Sequence, residues 1–150
     1  MLIPILFGLM LGTLCMACHA LGTTWLLKHA ITQVEAIHQT AHLFRRFLLI
    51  LGMTITTLTV LHVVEIVIWA LGYLWLTPID MLNDREEAVY FSFITFTTVG
   101  YGDVVIEKHW RLMAGIQALN GIMLIGWSTA VLMAVAQRLW RTQGGLGQEH

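Results

Sequence analysis

Charge is scarce in this sequence. Asp, Glu, Lys and Arg make up 11% of 150 residues, while hydrophobic residues make up 57%. A soluble domain carries charge at about a quarter of its positions. So few charges cannot cover a water-facing surface, but they suit an outer surface of lipid. The formal net charge of -1 leaves no basic patch for nucleic acid and no acidic tail. Cysteine is nearly absent too. Cys15 and Cys18 both fall in the first apolar run, which excludes a disulfide framework. No Lys or Arg precedes Lys28, and that first run is too long for the core of a secretory leader. No segment carries Arg at every third position, so voltage sensing by an Arg-rich helix is not expected. The dense histidine clusters that a membrane diiron hydroxylase needs are missing as well, so no enzyme activity is expected.

What charge there is sits in short clusters between long apolar runs, the pattern of membrane spans joined by loops. Residues 2–27 are uncharged and exceed the roughly 20 that cross a hydrocarbon core. They predict a first transmembrane helix ended by Lys28. Residues 28–46 hold Lys28, Glu35, Arg45, Arg46, His29, His38 and His42. An apolar stripe of Ile31, Val34, Ile37, Ala41 and Phe44 recurs there at helical spacing. This fits a helix in the membrane interface, or a cytoplasmic extension of the first helix. The second apolar run, 47–76, ends at Thr77-Pro78 with Trp69, Tyr73 and Trp75 toward its far end, as an aromatic belt would place them. Then Asn83 or Asp84 can cap a helix over 86–97, with Glu86 and Glu87 favoured by the dipole of its first turn. That helix is apolar but too short to span, which suggests a re-entrant segment. A third span, 112–136, closes at Arg138 and Arg141, and residues 142–150 form a polar tail.

Between the short helix and the third span lies Thr97-Thr98-Val99-Gly100-Tyr101-Gly102-Asp103. Irregular backbone at membrane depth is tolerated only where protein buries it or water wets it. Glycine at alternate positions admits dihedrals that other residues avoid. The heptapeptide resembles the signature of the potassium channel pore family, and the order of outer helix, pore helix, filter and inner helix is similar over 47–141. The identification rests on that known signature, with the N-terminal helix outside it.

The resemblance implies an all-α membrane protein with three transmembrane helices, a re-entrant pore helix and a selectivity filter. Four identical copies would be needed, since one loop supplies a quarter of each oxygen ring. Carbonyls of Thr98, Val99, Gly100 and Tyr101, with the Thr98 hydroxyl and Gly102 completing the run, would replace the water shell of K+. No organic cofactor is implied; the partners are further copies of the chain and membrane lipid. Thr97 and Asp103 would support the filter. The family often has Pro soon after this Asp, where Val104-Val105-Ile106 stands here. Some members place Glu in the pore helix where this sequence has Ile94. Asp103 therefore needs another partner, and Tyr90 is the candidate. Gly121 falls where the family often has a gating hinge, with Ile122, Ile125 and Thr129 toward the cavity or inner mouth. Lys and Arg counts place the N-terminus outside and the C-terminus in the cytoplasm, in a multi-pass protein of the plasma or inner membrane.

Other polar groups invite readings of their own. Cys15-Met16-Ala17-Cys18-His19 matches the pattern of covalent haem attachment, yet it lies within an uninterrupted apolar run, where cysteine is a common buried small residue. His62 and Glu65 stand one turn apart on one helix face. Ionisable groups at this depth suggest proton sensing, part of a metal site, or a polar pair packed against the first helix near His19. His38 and His42 could sense cytoplasmic pH, although such a face is more often simply solvated.

Overall fold

A computed structural model describes residues 2–35, 43–76, 82 and 85–145; among these the chain is four α-helices and no strand. They are α1 (Leu2–Glu35), α2 (Leu43–Leu76), α3 (Arg85–Phe96) and α4 (Arg111–Gly145). α1, α2 and α4 contain stretches long and apolar enough to cross a membrane: Leu2–Gln33, Phe44–Trp75 and Arg111–Arg141. α3 has 12 residues, about 18 Å of helix, well short of a hydrocarbon core of about 30 Å.

Helix ends depart from the sequence reading where charge was taken as a stop. α1 continues through Lys28 to Glu35, because no Gly or Pro breaks that stretch and a lysine marks the edge of the membrane rather than of the helix. The first eight residues of the 28–46 segment are therefore an extension of α1, and His38 and His42 lie outside the described residues. α4 likewise runs past Ala136, Arg138 and Arg141. α3 starts at Arg85 and stops at Phe96, one residue early at each end; the proposed caps Asn83 and Asp84 lie outside the described residues.

The packing fixes the path of the chain. Leu11 of α1 meets Gly72 of α2, and Gly22 meets Leu61, so these helices are antiparallel. Gly8 meets Ile116 and Gly12 meets Asn120 of α4, so α1 and α4 are parallel. α3 is held between α2 and α4 at the end of the bundle where α1 begins. The largest core lies at that end, with Leu11, Cys15, Ile66, Trp69, Tyr73, Phe91, Phe96, Trp110, Met113 and Leu124. Smaller clusters join the three spans further along: Leu26, Leu58 and Val131, then Ala30, Ile50, Val135 and Leu139. Lipid is as apolar as these side chains, so close packing and buried hydrogen bonds hold such a bundle together more than expulsion from water does.

Candidate functional site: a pore loop fastened by buried hydrogen bonds

α3 is anchored through one serine. The Ser92 hydroxyl donates to the Ile66 carbonyl of α2 at 2.8 Å. Gln117 of α4 donates from Nε2 to that hydroxyl at 2.7 Å and to the Ser92 carbonyl at 3.1 Å. The Tyr73 hydroxyl completes the set, donating to Gln117 Oε1 at 2.8 Å. Beside it, Trp69 Nε1 donates to Asn120 Oδ1 at 3.3 Å, and Asn120 Nδ2 donates to the Gly12 carbonyl of α1 at 3.3 Å. All four helices are thus joined by side chains buried where no water can substitute. At Gly121, α4 comes so close to the last residue of α3 that a side chain would overlap the Phe96 carbonyl. α4 is unbroken there.

These ties set the direction in which the chain leaves α3. Thr97 N–H donates to the Phe93 carbonyl and Thr98 N–H to the Thr95 carbonyl. Gly100 N–H reaches back to the Ile94 carbonyl at 3.2 Å. φ is positive at every second residue: 61° at Thr98, 52° at Gly100 and 80° at Gly102. In a strand of uniform φ sign, successive carbonyls point to opposite sides. Reversing the sign at alternate residues turns every second peptide over, so that neighbouring carbonyls can share a side. Gly100 and Gly102 adopt this readily. Thr98 does not: a left-handed, β-branched residue costs on the order of 1–2 kcal/mol. The run is also bare of its own chain, with Val99 51% and Tyr101 74% exposed.

Just beyond it, the Tyr90 hydroxyl of α3 donates to Asp103 Oδ2 at 2.6 Å. That bond holds the Asp103 carboxyl below the usual carboxylate range and pushes the Tyr90 phenol up. On α4, Ile122 and Ile125 are exposed, and so is Thr129, whose hydroxyl donates to the Ile125 carbonyl.

His62 and Glu65 meet two residues from other helices. Glu65 accepts from, or shares a proton with, His19 Nδ1 at 2.7 Å and His62 Nδ1 at 2.9 Å. The Ser128 hydroxyl of α4 lies 3.3 Å from His19 Nε2 and 2.9 Å from His62 Nε2. His19 is therefore engaged through both ring nitrogens, and Cys15 and Cys18 are free thiols. Ser92, Gln117, Asn120 and Ser128 escaped the sequence reading. Their signal was present, since each is a polar side chain inside an apolar helix and needs a partner there.

A short helix lodged among three membrane-length spans, followed by exposed backbone of alternating φ sign, defines an integral membrane protein with a pore loop. A family model described as "Ion channel" matches residues 61–138. That is more than half of the chain, and the chain belongs to this family. The match runs from within α2 through α3 and the loop to α4, and α1 lies outside it. No solved structure matches the chain.

Proposed function

We propose that the chain is one subunit of a potassium-selective channel in which four copies surround one axis and pass K+ passively down its gradient. The observation that carries this reading is the alternation of φ sign at Thr98, Gly100 and Gly102 within Thr-Val-Gly-Tyr-Gly. Such backbone allows the carbonyls of Thr98, Val99, Gly100 and Tyr101 to face a common line, where they would replace the water around a dehydrated cation. Thr98 stands in left-handed backbone without a glycine's freedom, as expected when the surroundings of a functional site demand the conformation. The bare state of the run within one chain supports assembly: its apolar side chains would be covered by neighbouring copies.

In this reading α3 aims the negative end of its dipole into a central cavity, which favours a cation there. Ile122, Ile125 and Thr129 would line the cavity or its inner mouth, and the Tyr90–Asp103 bond would steady the outer end of the filter. The N-terminus and pore loop, which share one end of the bundle, would face outward, and the C-terminal end of α4 the cytoplasm, in a plasma or inner membrane. Purified protein in liposomes is expected to show K+ flux well above Na+ flux, blocked by barium. Equal Na+ and K+ flux, or silence at every pH and voltage applied from either side, would refute the reading.

A further inference from the structure

The polar cluster of His19, His62, Glu65 and Ser128 lies off the loop and plays no part in the conduction reading. Its geometry is a closed ring. The Glu65 carboxylate bridges the two Nδ1 atoms at 2.7 and 2.9 Å, and the Ser128 hydroxyl bridges the two Nε2 atoms at 3.3 and 2.9 Å. The imidazoles stack between them, centroids 5.3 Å apart and planes inclined by 24°. His19 and Glu65 are fully buried, and the His62 side chain is 20% exposed. Around the ring, α4 sets the Trp127 edge against His19, and α3 sets Phe96 against His62. α1 adds Cys15, whose Sγ lies 3.9 Å from the Glu65 carbonyl. Of these facing groups only Cys15 titrates. Two ligands of one tetrahedral zinc stand roughly 3.3 Å apart. Separations of 2.7 and 2.9 Å are those of hydrogen bonds, and every ring nitrogen is already engaged.

We propose that these four residues form an intramembrane proton-binding site that fastens α1, α2 and α4 together. Four hydrogen bonds need four hydrogens. The Ser128 hydroxyl brings one, two neutral imidazoles bring one each, and an ionised Glu65 brings none. The closed ring therefore holds one further proton. Placed on an imidazole, it makes an imidazolium–carboxylate pair; placed on Glu65, it leaves both imidazoles neutral. Either way the cluster is neutral overall, and each contact joins a donor to an acceptor, whichever histidine is chosen. Without that proton, one contact sets two lone pairs against each other and the Glu65 carboxylate leaves an uncompensated negative charge in the hydrocarbon. With one proton more, the cluster carries an uncompensated positive charge there. When the helices separate and the groups meet water, imidazoles and carboxylates hold none of this proton above about pH 7.5. Closure thus takes up one proton, and its equilibrium constant falls tenfold for each unit by which pH rises above that point, for as long as the ring keeps the proton.

Glu65→Gln separates this site from a mere polar contact. A glutamine offers one N–H to the ring and one carbonyl oxygen, so four hydrogens close the ring with every group neutral and no extra proton. Heat-unfolding midpoints of the full chain in detergent, from pH 7 to 9.5, provide the test. The wild-type midpoint is expected to fall across this range, and that of Glu65→Gln to fall much less. Ser128→Ala still buries the Glu65 carboxylate, whose charge the extra proton neutralises, and is expected to keep the slope, whatever its stability at pH 7. Parallel profiles for wild type and Glu65→Gln, or a slope lost in Ser128→Ala, would overturn the proposal. So would a wild-type midpoint that does not fall, which needs no variant to fold. The readout is stability rather than flux, so its failure would leave the conduction reading standing.

Discussion

Replacing Gly121 by alanine sets two effects against each other. In a helix interior, Gly→Ala is worth about 0.8–1.0 kcal/mol in favour of the helix. Here the new methyl would overlap the carbonyl oxygen and carbonyl carbon of Phe96 and crowd its Cα. These are backbone atoms at the last turn of α3, so no rotamer change can clear them. Either α4 withdraws, loosening the bonds from Gln117 to Ser92, or α3 shifts and carries residues 97–102 with it. Overpacking of this kind costs typically about 1–3 kcal/mol, and a backbone obstacle belongs in the upper half of that range. Gly52 supplies the control, because a Cβ there meets nothing within 4 Å and only the helix gain remains. Gly121→Ala is therefore expected to fall about 2–3 kcal/mol per chain below Gly52→Ala, read from heat or denaturant unfolding in detergent. Liposome flux is expected to fall with it. A Gly121→Ala protein as stable as Gly52→Ala, with flux unchanged, would refute the claim that this glycine serves close approach to α3.

Gln117→Leu removes three buried hydrogen bonds, one from the Tyr73 hydroxyl and two to Ser92, a loss of about 1–3 kcal/mol. Tyr73→Phe should cost less once residue 117 is leucine than it does in the wild type, and losses that simply add would count against the pairing. Tyr90→Phe removes the hydrogen bond that lowers the Asp103 carboxyl. That bond contributes above the usual carboxylate range and is lost as pH falls through the lowered value. The acid-side change in flux should therefore move to higher pH in Tyr90→Phe, and an unmoved profile would separate Asp103 from the outer end of the loop. Gly100→Ala forces an alanine to φ near 52°; flux is expected to vanish while the unfolding midpoint drops by the equivalent of about 1–2 kcal/mol, and retained selective flux would refute the filter assignment.

The spans were legible because hydrocarbon demands some 20 uninterrupted apolar residues whatever the fold. Their ends were not. Lys28, Arg138 and Arg141 look like stops by hydropathy, yet a long charged side chain at the membrane surface is compatible with a helix that continues beyond it. The loop was found by its heptapeptide, and Tyr90 as the partner of Asp103 by asking what replaces the missing pore-helix carboxylate. The bracing side chains were harder to read. Gln117, Asn120 and Ser128 meet partners more than 20 residues away in sequence, each on two other helices. Only the parallel register of α1 with α4 and the antiparallel register of α2 bring them together. His62 and Glu65 could be paired from their spacing, and His19 suggested as their neighbour. Ser128, which closes the ring, gave no sign beyond being a hydroxyl in an apolar run.

The fastening of α3 bears on the order of events during biogenesis. Ser92, Gln117, Tyr73 and the contact at Gly121 all belong to one polypeptide, so seating the short helix requires no contact from another copy. A newly inserted subunit would thus offer neighbours a preset arm instead of a floppy one. In the proposed assembly, encounter between copies would then have less ordering entropy left to supply, and a defect in the seat should appear as failed association before it appears as altered permeation.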